Sequence, residues 1–319
     1  MLNMQPRACP VCGSTDESRV FAQANIDPAQ FNAFSFSSRK LPEYMHPRLI
    51  ECPSCDLVYA NPAITQESLA AGYEAAAFDS SEEASHAART YGSYLTRFLP
   101  RLPDRQGALD IGTGEGSFLR ELVSAGFSDV VGVEPSRAPI EAAPADVRSL
   151  IRQEMFQTDT FPPESFRLIA CFQTIEHLRD PLGICRDAWR ALKPGGAFFL
   201  IGHNRRAYSA AVLGRKSPIF DVEHLQLFSP RSFHSLLGAA GFADVTVEPI
   251  LNRYPLHYWA RLFPFPKTWK PGILRGLKSS FLGRLMVPLP AGNLAAVGYK
   301  PHATVGMREL AGAEASVEA

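Results

Sequence analysis

Four of the chain's six cysteines form two Cys-x-x-Cys units, Cys9-Pro-Val-Cys12 and Cys52-Pro-Ser-Cys55, with 39 residues between them. Zinc takes four soft or borderline ligands in a tetrahedron. Each unit presents two thiolates, so Cys9, Cys12, Cys52 and Cys55 together complete one shell. A redox pair needs a single unit beside a strand-to-helix pattern and leaves the second unexplained. A disulfide framework is disfavoured because the first residues, MLNMQPRACP, carry no apolar signal segment, and a reducing compartment keeps thiols free. A four-thiolate shell is closed to substrate. The metal would supply folding energy to an intervening stretch of short strands and loops that cannot build a core alone. His46, within that stretch, is expected at the surface. Cys171 and Cys185 stand in apolar surroundings and are expected to be buried small hydrophobes.

A second constellation is LDIGTGEGSF, Leu109 to Phe118. It reads as an apolar strand, a loop carrying Gly112, Gly114 and Gly116, and a helix. Such a loop lets a ligand approach bare backbone. The dinucleotide fingerprint is Gly-x-Gly-x-x-Gly, and here the third glycine comes one residue early. Asp110 would also repel a pyrophosphate, whereas a carboxylate suits an ammonium or sulfonium group. The next apolar run, DVVGVEP, ends in Glu134, twenty residues past Gly114. An acid there can accept both hydrogens of a ribose diol. The plainer alternative is a solvated strand-end acid, and placement at the carboxyl edge of a sheet beside the glycine loop favours the binding role.

The elements that must position these residues follow from the apolar pattern. From residue 107 short apolar runs (GALDIG, DVVGVEP, RLIACFQ, GAFFLIG) alternate with helical stretches, which predicts a parallel sheet covered by helices. Residues 80–100 carry Tyr91, Tyr94, Leu95, Phe98 and Leu99 at helical spacing, and Pro100 and Pro103 stop the run. Thr65, Ser68 and Leu69 open a shorter helix before it. The domains predicted are a zinc ribbon at 1–62, a helical linker or lid at 63–106, a sheet domain at 107–300 and a disordered tail at 301–319.

The 319 residues are 46% hydrophobic, with 32 basic and 32 acidic side chains. A sizeable core is therefore expected, and a zero net charge lowers the expectation of a nucleic-acid partner. No apolar run reaches the length of a membrane span. A cytoplasmic protein is expected, with contact at the inner face of the membrane left open by the basic stretch described below.

The segments LDIGTGEGSFLRELVSAG, VVGVEPS, FQTIEHLRDP, ALKPGGAFFL and EHLQLFSPRSFHSLLGAAGF resemble, in order and spacing, those of class I S-adenosylmethionine-dependent methyltransferases. The knuckles followed by LVYANP resemble the subgroup with an amino-terminal zinc ribbon, frequent in bacterial sugar and polysaccharide pathways. The resemblance implies a Rossmann-like α/β fold with a seven-stranded sheet, helices on both faces and the seventh strand antiparallel to its neighbours. It implies S-adenosylmethionine as cofactor and a structural zinc. Asp110 with Gly112, Thr113, Gly114 and Gly116 would hold the methionine end and Glu134 the ribose. Met155 and Phe156 would flank the adenine, although IRQEMF lacks the common Gly-Asp pair, and Gln173 would face the sulfonium. Relatives that bind magnesium do so through Glu-x-x-Glu-His. Gln173 stands at the first position of that motif, so no magnesium is expected.

A hydroxyl or acidic carbon acceptor needs a base, and histidine suits neutral pH. In this family the loop after the fifth strand lines the acceptor pocket. His224, paired with Glu223, is the first candidate. His177 is an alternative base or a residue that shapes the pocket, and His203 ranks below both. Residues 249–308 contain no Asp or Glu, and 251–290 interleave Arg and Lys with Tyr, Trp and Phe. That mixture suits a membrane interface or lipid-linked phosphate, or nucleic acid. Alternatively it is a lid with its aromatics packed inward. The function implied is methyl transfer to a small molecule, sugar, glycan or lipid-linked acceptor. An RNA methyltransferase and a non-catalytic cofactor-binding scaffold are the competing readings.

Overall fold

The computed structural model describes residues 3–27, 29, 35–36, 44–74, 81–214, 217, 219–263, 265–266, 268–290 and 292–302. The expected tail falls outside them from residue 303 on. In the amino-terminal part, β1 (Met4–Gln5), β2 (Val20–Ala22), β3 (Leu49–Glu51), β4 (Val58–Ala60) and β5 (Ala63–Ile64) precede α1 (Gln66–Glu74) and α2 (Ser81–Phe98). The alternating part follows as β6 (Gln106–Ile111), α3 (Ser117–Ser124), β7 (Ser128–Val133), α4 (Arg137–Ala142), α5 (Ala145–Arg148), β8 (Ile151–Arg152), β9 (Phe166–Phe172), α6 (Pro181–Ala191) and β10 (Leu192–His203). It continues through α7 (Tyr208–Leu213), β11 (Gln226–Leu227), α8 (Pro230–Ala239), β12 (Ala243–Pro249), β13 (Asn252–Pro255), α9 (Leu256–Leu262), α10 (Lys270–Ser279), β14 (Met286–Leu289) and β15 (Asn293–Tyr299).

Local chemistry sets several boundaries. Asp180 caps α6 by accepting from the Gly183 amide, with Pro181 in the first turn. Ser229 and Ser232 cap α8 reciprocally around Pro230, which satisfies amides that a helix start otherwise leaves open.

The central sheet has the order β12-β15-β10-β9-β6-β7-β8. β9, β6, β7 and β8 run parallel with β10, while β15 runs antiparallel to both β10 and β12. This is the expected Rossmann-like methyltransferase sheet. Its inner strands read as nearly unbroken apolar runs because both faces are covered. The period of two divides each strand between two cores. Leu109, Ile111, Ile169, Cys171, Phe198 and Leu200 face α6 and α8. Ala108, Leu168, Ala170, Ala197, Phe199 and Ile201 face α2 and α3. The segment expected as a linker or lid thus contributes α2 to one helical layer, where the Phe98 ring meets Phe199 edge-on at 5.0 Å.

The ribbon's sheet has the order β11-β4-β3-β2, so its inner edge is completed by a strand from the far side of the chain. Cys9, Val11, Cys52, Cys55, Leu57 and Tyr59 belong to the same apolar core as the sheet face under α6 and α8.

Candidate active site

Each knuckle closes the same turn. Gly13 N donates to Cys9 O at 2.9 Å, and Asp56 N to Cys52 O at 3.0 Å. The sulfurs of Cys9 and Cys55 lie 3.5 Å apart, as do those of Cys12 and Cys52, and all four lie within 4.8 Å of one another. These spacings are too long for disulfides. They match thiolates arranged about 2.3 Å from a central zinc, where tetrahedral edges are about 3.8 Å. Cys171 and Cys185 are fully buried, and burial raises both thiols' pKa values. His46 departs from expectation. It is buried, with Nδ1 2.9 Å from the Pro47 carbonyl and its ring 6.1 Å from that of Phe220.

The knuckles are bolted to the loops that form the site. Arg205 and Arg206 pair with Glu51 and Asp56. Burial alone would raise the Asp56 carboxyl, but the two guanidiniums bring its pKa down to about 2. The Arg7 guanidinium donates to the carbonyls of Ala60, Arg179 and Leu225 and to Gln226 Oε1. The Gln226 amide in turn donates to Ile175 O and Leu178 O, each at 2.7 Å. β4 pairs antiparallel with β11, Gln226 opposite Tyr59. The ribbon therefore grips residues 175–179 and 225–227, which directly flank His177 and the pair Glu223-His224.

At the carboxyl edge of the sheet, where β6 parts β7 from β9, a cavity of about 1130 Å³ is lined by Asp110, Gly112, Thr113, Gly114, Glu134, Met155, Phe156, Gln173, His177, Glu223 and His224. All the expected cofactor-side and base residues except Gly116 line this one cavity. Asp110 accepts from Thr113 Oγ1 at 2.7 Å, so Thr113 orients that carboxylate. Gly114 has φ +58°, and a Cβ there would meet nothing within 4 Å, which leaves its backbone bare to a ligand. Gly116 opens α3 with its α-carbon turned to Val147 and Ile151, away from the cavity. Glu134 accepts from the amides of Gly114 and Ser136, each at 2.9 Å. Burial raises its pKa, and those amides oppose the rise. Both amide atoms of Gln173 are buried without a hydrogen-bond partner among the described residues. A buried amide of this kind calls for a partner beyond the protein, a water or a ligand. This wall, with bare loop backbone, two carboxylates and an unsatisfied amide, fits S-adenosylmethionine.

The same cavity is also lined by three histidines. The rings of His177 and His203 each lie 4.9 Å from His224. His177 Nδ1 is 3.7 Å from Glu223 Oε2, and the ligating atoms of His177, Glu223 and His224 fall within 4.8 Å of one another. The expected dyad of Glu223 and His224 thus lies in a cluster that also holds His177, the ring whose nitrogen stands 3.7 Å from Glu223. His224 Nδ1 is 2.8 Å from the Ile219 carbonyl. A carbonyl only accepts, so Nδ1 carries the proton and Nε2 is the basic nitrogen. His203 contacts Asn293 Oδ1 at 3.1 Å. Glu176 is fully buried and accepts from the His203 amide. Tyr73, from α1, was not among the sequence candidates. Tyr73 lines the same cavity, with its hydroxyl buried and its ring edge-on to His177 at 6.1 Å. Burial, then the carboxylates of Glu223, Glu134 and Asp221, keep the phenol protonated. Its only sequence signal is a position four residues after Leu69, which does not distinguish it from a core side chain.

The sheet order, the glycine loop and the acids at its edge define the class of protein. A family model described as a methyltransferase domain matches residues 83–247, just over half of the chain, and the chain belongs to that family. It is 31% identical over 137 residues to the ubiquinone biosynthesis O-methyltransferase of Pseudomonas aeruginosa (strain UCBPP-PA14), covering 40% of this chain and 54% of the relative. It is 30% identical over 161 residues to the protein of that name from Pseudomonas fluorescens (strain Pf0-1), covering 45% and 66%. The chain spans about half the length of the curated relatives it matches. Among solved structures, the YcgJ protein of Bacillus subtilis overlaps 67% of this chain and 99% of its own at 18% identity and TM-score 0.48. Phosphoethanolamine N-methyltransferase 2 of Haemonchus contortus, in complex with phosphomonomethylethanolamine and S-adenosylhomocysteine, overlaps 67% and 52% at 20% identity and TM-score 0.45.

Proposed function

We propose that the protein is an S-adenosylmethionine-dependent methyltransferase acting on a hydroxyl-bearing small molecule, sugar or glycan, with a structural zinc held by Cys9, Cys12, Cys52 and Cys55. The observation that carries this reading is the shared cavity. Asp110, Glu134 and Gln173 line the same cavity as the cluster of His177, Glu223 and His224. The relatives are named as O-methyltransferases, which supports a hydroxyl acceptor. When bound, the cofactor supplies an activated methyl and its own leaving group. The protein's share is alignment and proton removal. Asp110 and the Gly112–Gly114 backbone hold the methionine end, Glu134 the ribose, Met155 and Phe156 the adenine. Gln173 fixes the region between cofactor and acceptor. His224 Nε2 takes the acceptor proton, Ile219 holds the ring's tautomer, and Glu223 stabilises the imidazolium that forms. In domain terms, residues 1–62 form the ribbon, 63–106 the helical connection and 107–300 the catalytic body.

Calorimetry tests the cofactor assignment. S-adenosylhomocysteine should bind and NAD should not. Glu134→Ala should weaken binding by roughly 1.5–3 kcal/mol through lost charged hydrogen bonds to the ribose. Tight NAD binding would overturn the assignment.

A further inference from the structure

The insert between β12 and β15 divides into two halves of opposite character. Its inner half packs on the body. Tyr254 and Tyr258 are buried, and the Trp259 indole donates to Val287 O at 2.8 Å. The outer half does the reverse. Trp269 is 68% exposed, Phe281 84%, Leu282 61% and Leu285 51%. None of the ten residues of α10 is buried. A lid that packs its aromatics inward would cover these side chains, so that account holds only for the inner half. α9, α10 and the short 3-10 turn at Leu282–Arg284 pack on one another, so the exposed apolar groups belong to one packed unit. Monomeric proteins seldom leave several large side chains exposed together.

The charges within the insert itself have one sign. Residues 249–308 contain no acid. Arg275, Lys278 and Arg284 are exposed, and none of them joins an ion pair among the described residues. Exposed aromatics flanked by unpaired cations suit the headgroup layer of an anionic bilayer, where rings enter the acyl boundary and cations meet lipid phosphates. Nucleic acid would use the cations but would leave Phe281, Leu282 and Leu285 in water. The insert also supplies Arg261, Lys270 and Leu289 to the wall of the central cavity, so the surface borders the cavity itself.

We infer that the outer half of the insert, α10 with Trp269 and Phe281, docks the protein peripherally on anionic phospholipid bilayers. No helix among the described residues is long and apolar enough to cross a membrane, so the contact is interfacial. The inference does not depend on the methyl-transfer reading. A surface beside the cavity mouth would nevertheless give an enzyme access to acceptors embedded in the lipid.

Flotation of the full chain with vesicles tests it. The protein should float with phosphatidylcholine–phosphatidylglycerol vesicles and not with phosphatidylcholine alone, and salt should release it. Replacing Trp269 and Phe281 together by Ala should lower the bound fraction at least about tenfold. Arg275→Glu and Lys278→Glu should each lower it about fivefold. All these variants should keep the wild-type melting temperature, since none of the four side chains is buried. Absence of flotation, equal flotation on both lipids, or retention on single-stranded RNA but not vesicles would overturn the inference. So would sedimentation showing that the paired Ala variant splits a dimer, because a second copy would then cover the surface.

Discussion

At His224 the hydrogen bond to Ile219 O sets which nitrogen can act. If Nε2 takes the acceptor proton, His224→Ala should leave S-adenosylhomocysteine affinity nearly unchanged and slow methyl transfer by roughly 10²–10⁴-fold. The dependence of rate on a group titrating near neutral pH should vanish with it. His177→Ala is the comparison, because a residue that only shapes the pocket should alter affinity at least as much as rate. A full-speed His224→Ala enzyme with an unchanged pH profile would move the role to His177 or point to a mechanism that needs no base. Glu176 makes a separate prediction. Its burial raises its pKa, so its contribution to stability is complete below the ordinary carboxylate range and is lost as pH rises through the raised value. Glu176→Gln keeps an acceptor for the His203 amide and removes the charge. The variant should melt higher than wild type at pH 8, with the difference closing toward pH 4. Equal melting temperatures at pH 8 would show that the buried carboxylate carries no such cost.

Among the elements, the ribbon's attachment has the clearest consequence. β4 pairs with β11 two residues beyond His224, and Arg7 ties three carbonyls from three segments together. Burial lowers the Arg7 pKa to about 10, which still leaves it charged at neutral pH. Arg7→Met should cost about 2–4 kcal/mol in urea unfolding, because buried carbonyls lose their donor. Purified protein should carry about one zinc per chain, and Cys52→Ser should lose it and loosen the amino-terminal region. Metal analysis that finds no zinc in carefully prepared protein would remove the clamp.

For the whole molecule, the four-cysteine cluster and one face of the central sheet share a core. A ribbon with its own core would melt apart from the body. Here metal binding should stabilise the entire fold by mass action. A strong chelator should therefore lower the midpoint of a single calorimetric transition. An early separate ribbon transition in the zinc-loaded protein would show that the two parts are not one cooperative unit.

The sequence by itself determined what short spacing and strand periodicity can encode. Cys9, Cys12, Cys52 and Cys55 announced one cluster, and the glycine loop with Asp110 and Glu134 announced a ligand edge. The apolar runs announced the sheet, because strands covered on both faces must be apolar along their length. What only the tertiary structure decided are contacts between segments far apart in the chain. His177, His203 and His224 come together because β9, β10 and the segment before β11 end at one edge. Tyr73 reaches them from α1. His46, between the knuckles and read as a surface residue, is buried with its ring beside Phe220. Trp269 and Phe281 are exposed while Tyr254 and Tyr258 are buried, though all four sit in the same basic, aromatic stretch. A side chain's burial and its partners depend on which surface the fold brings against it, and no local pattern records that choice.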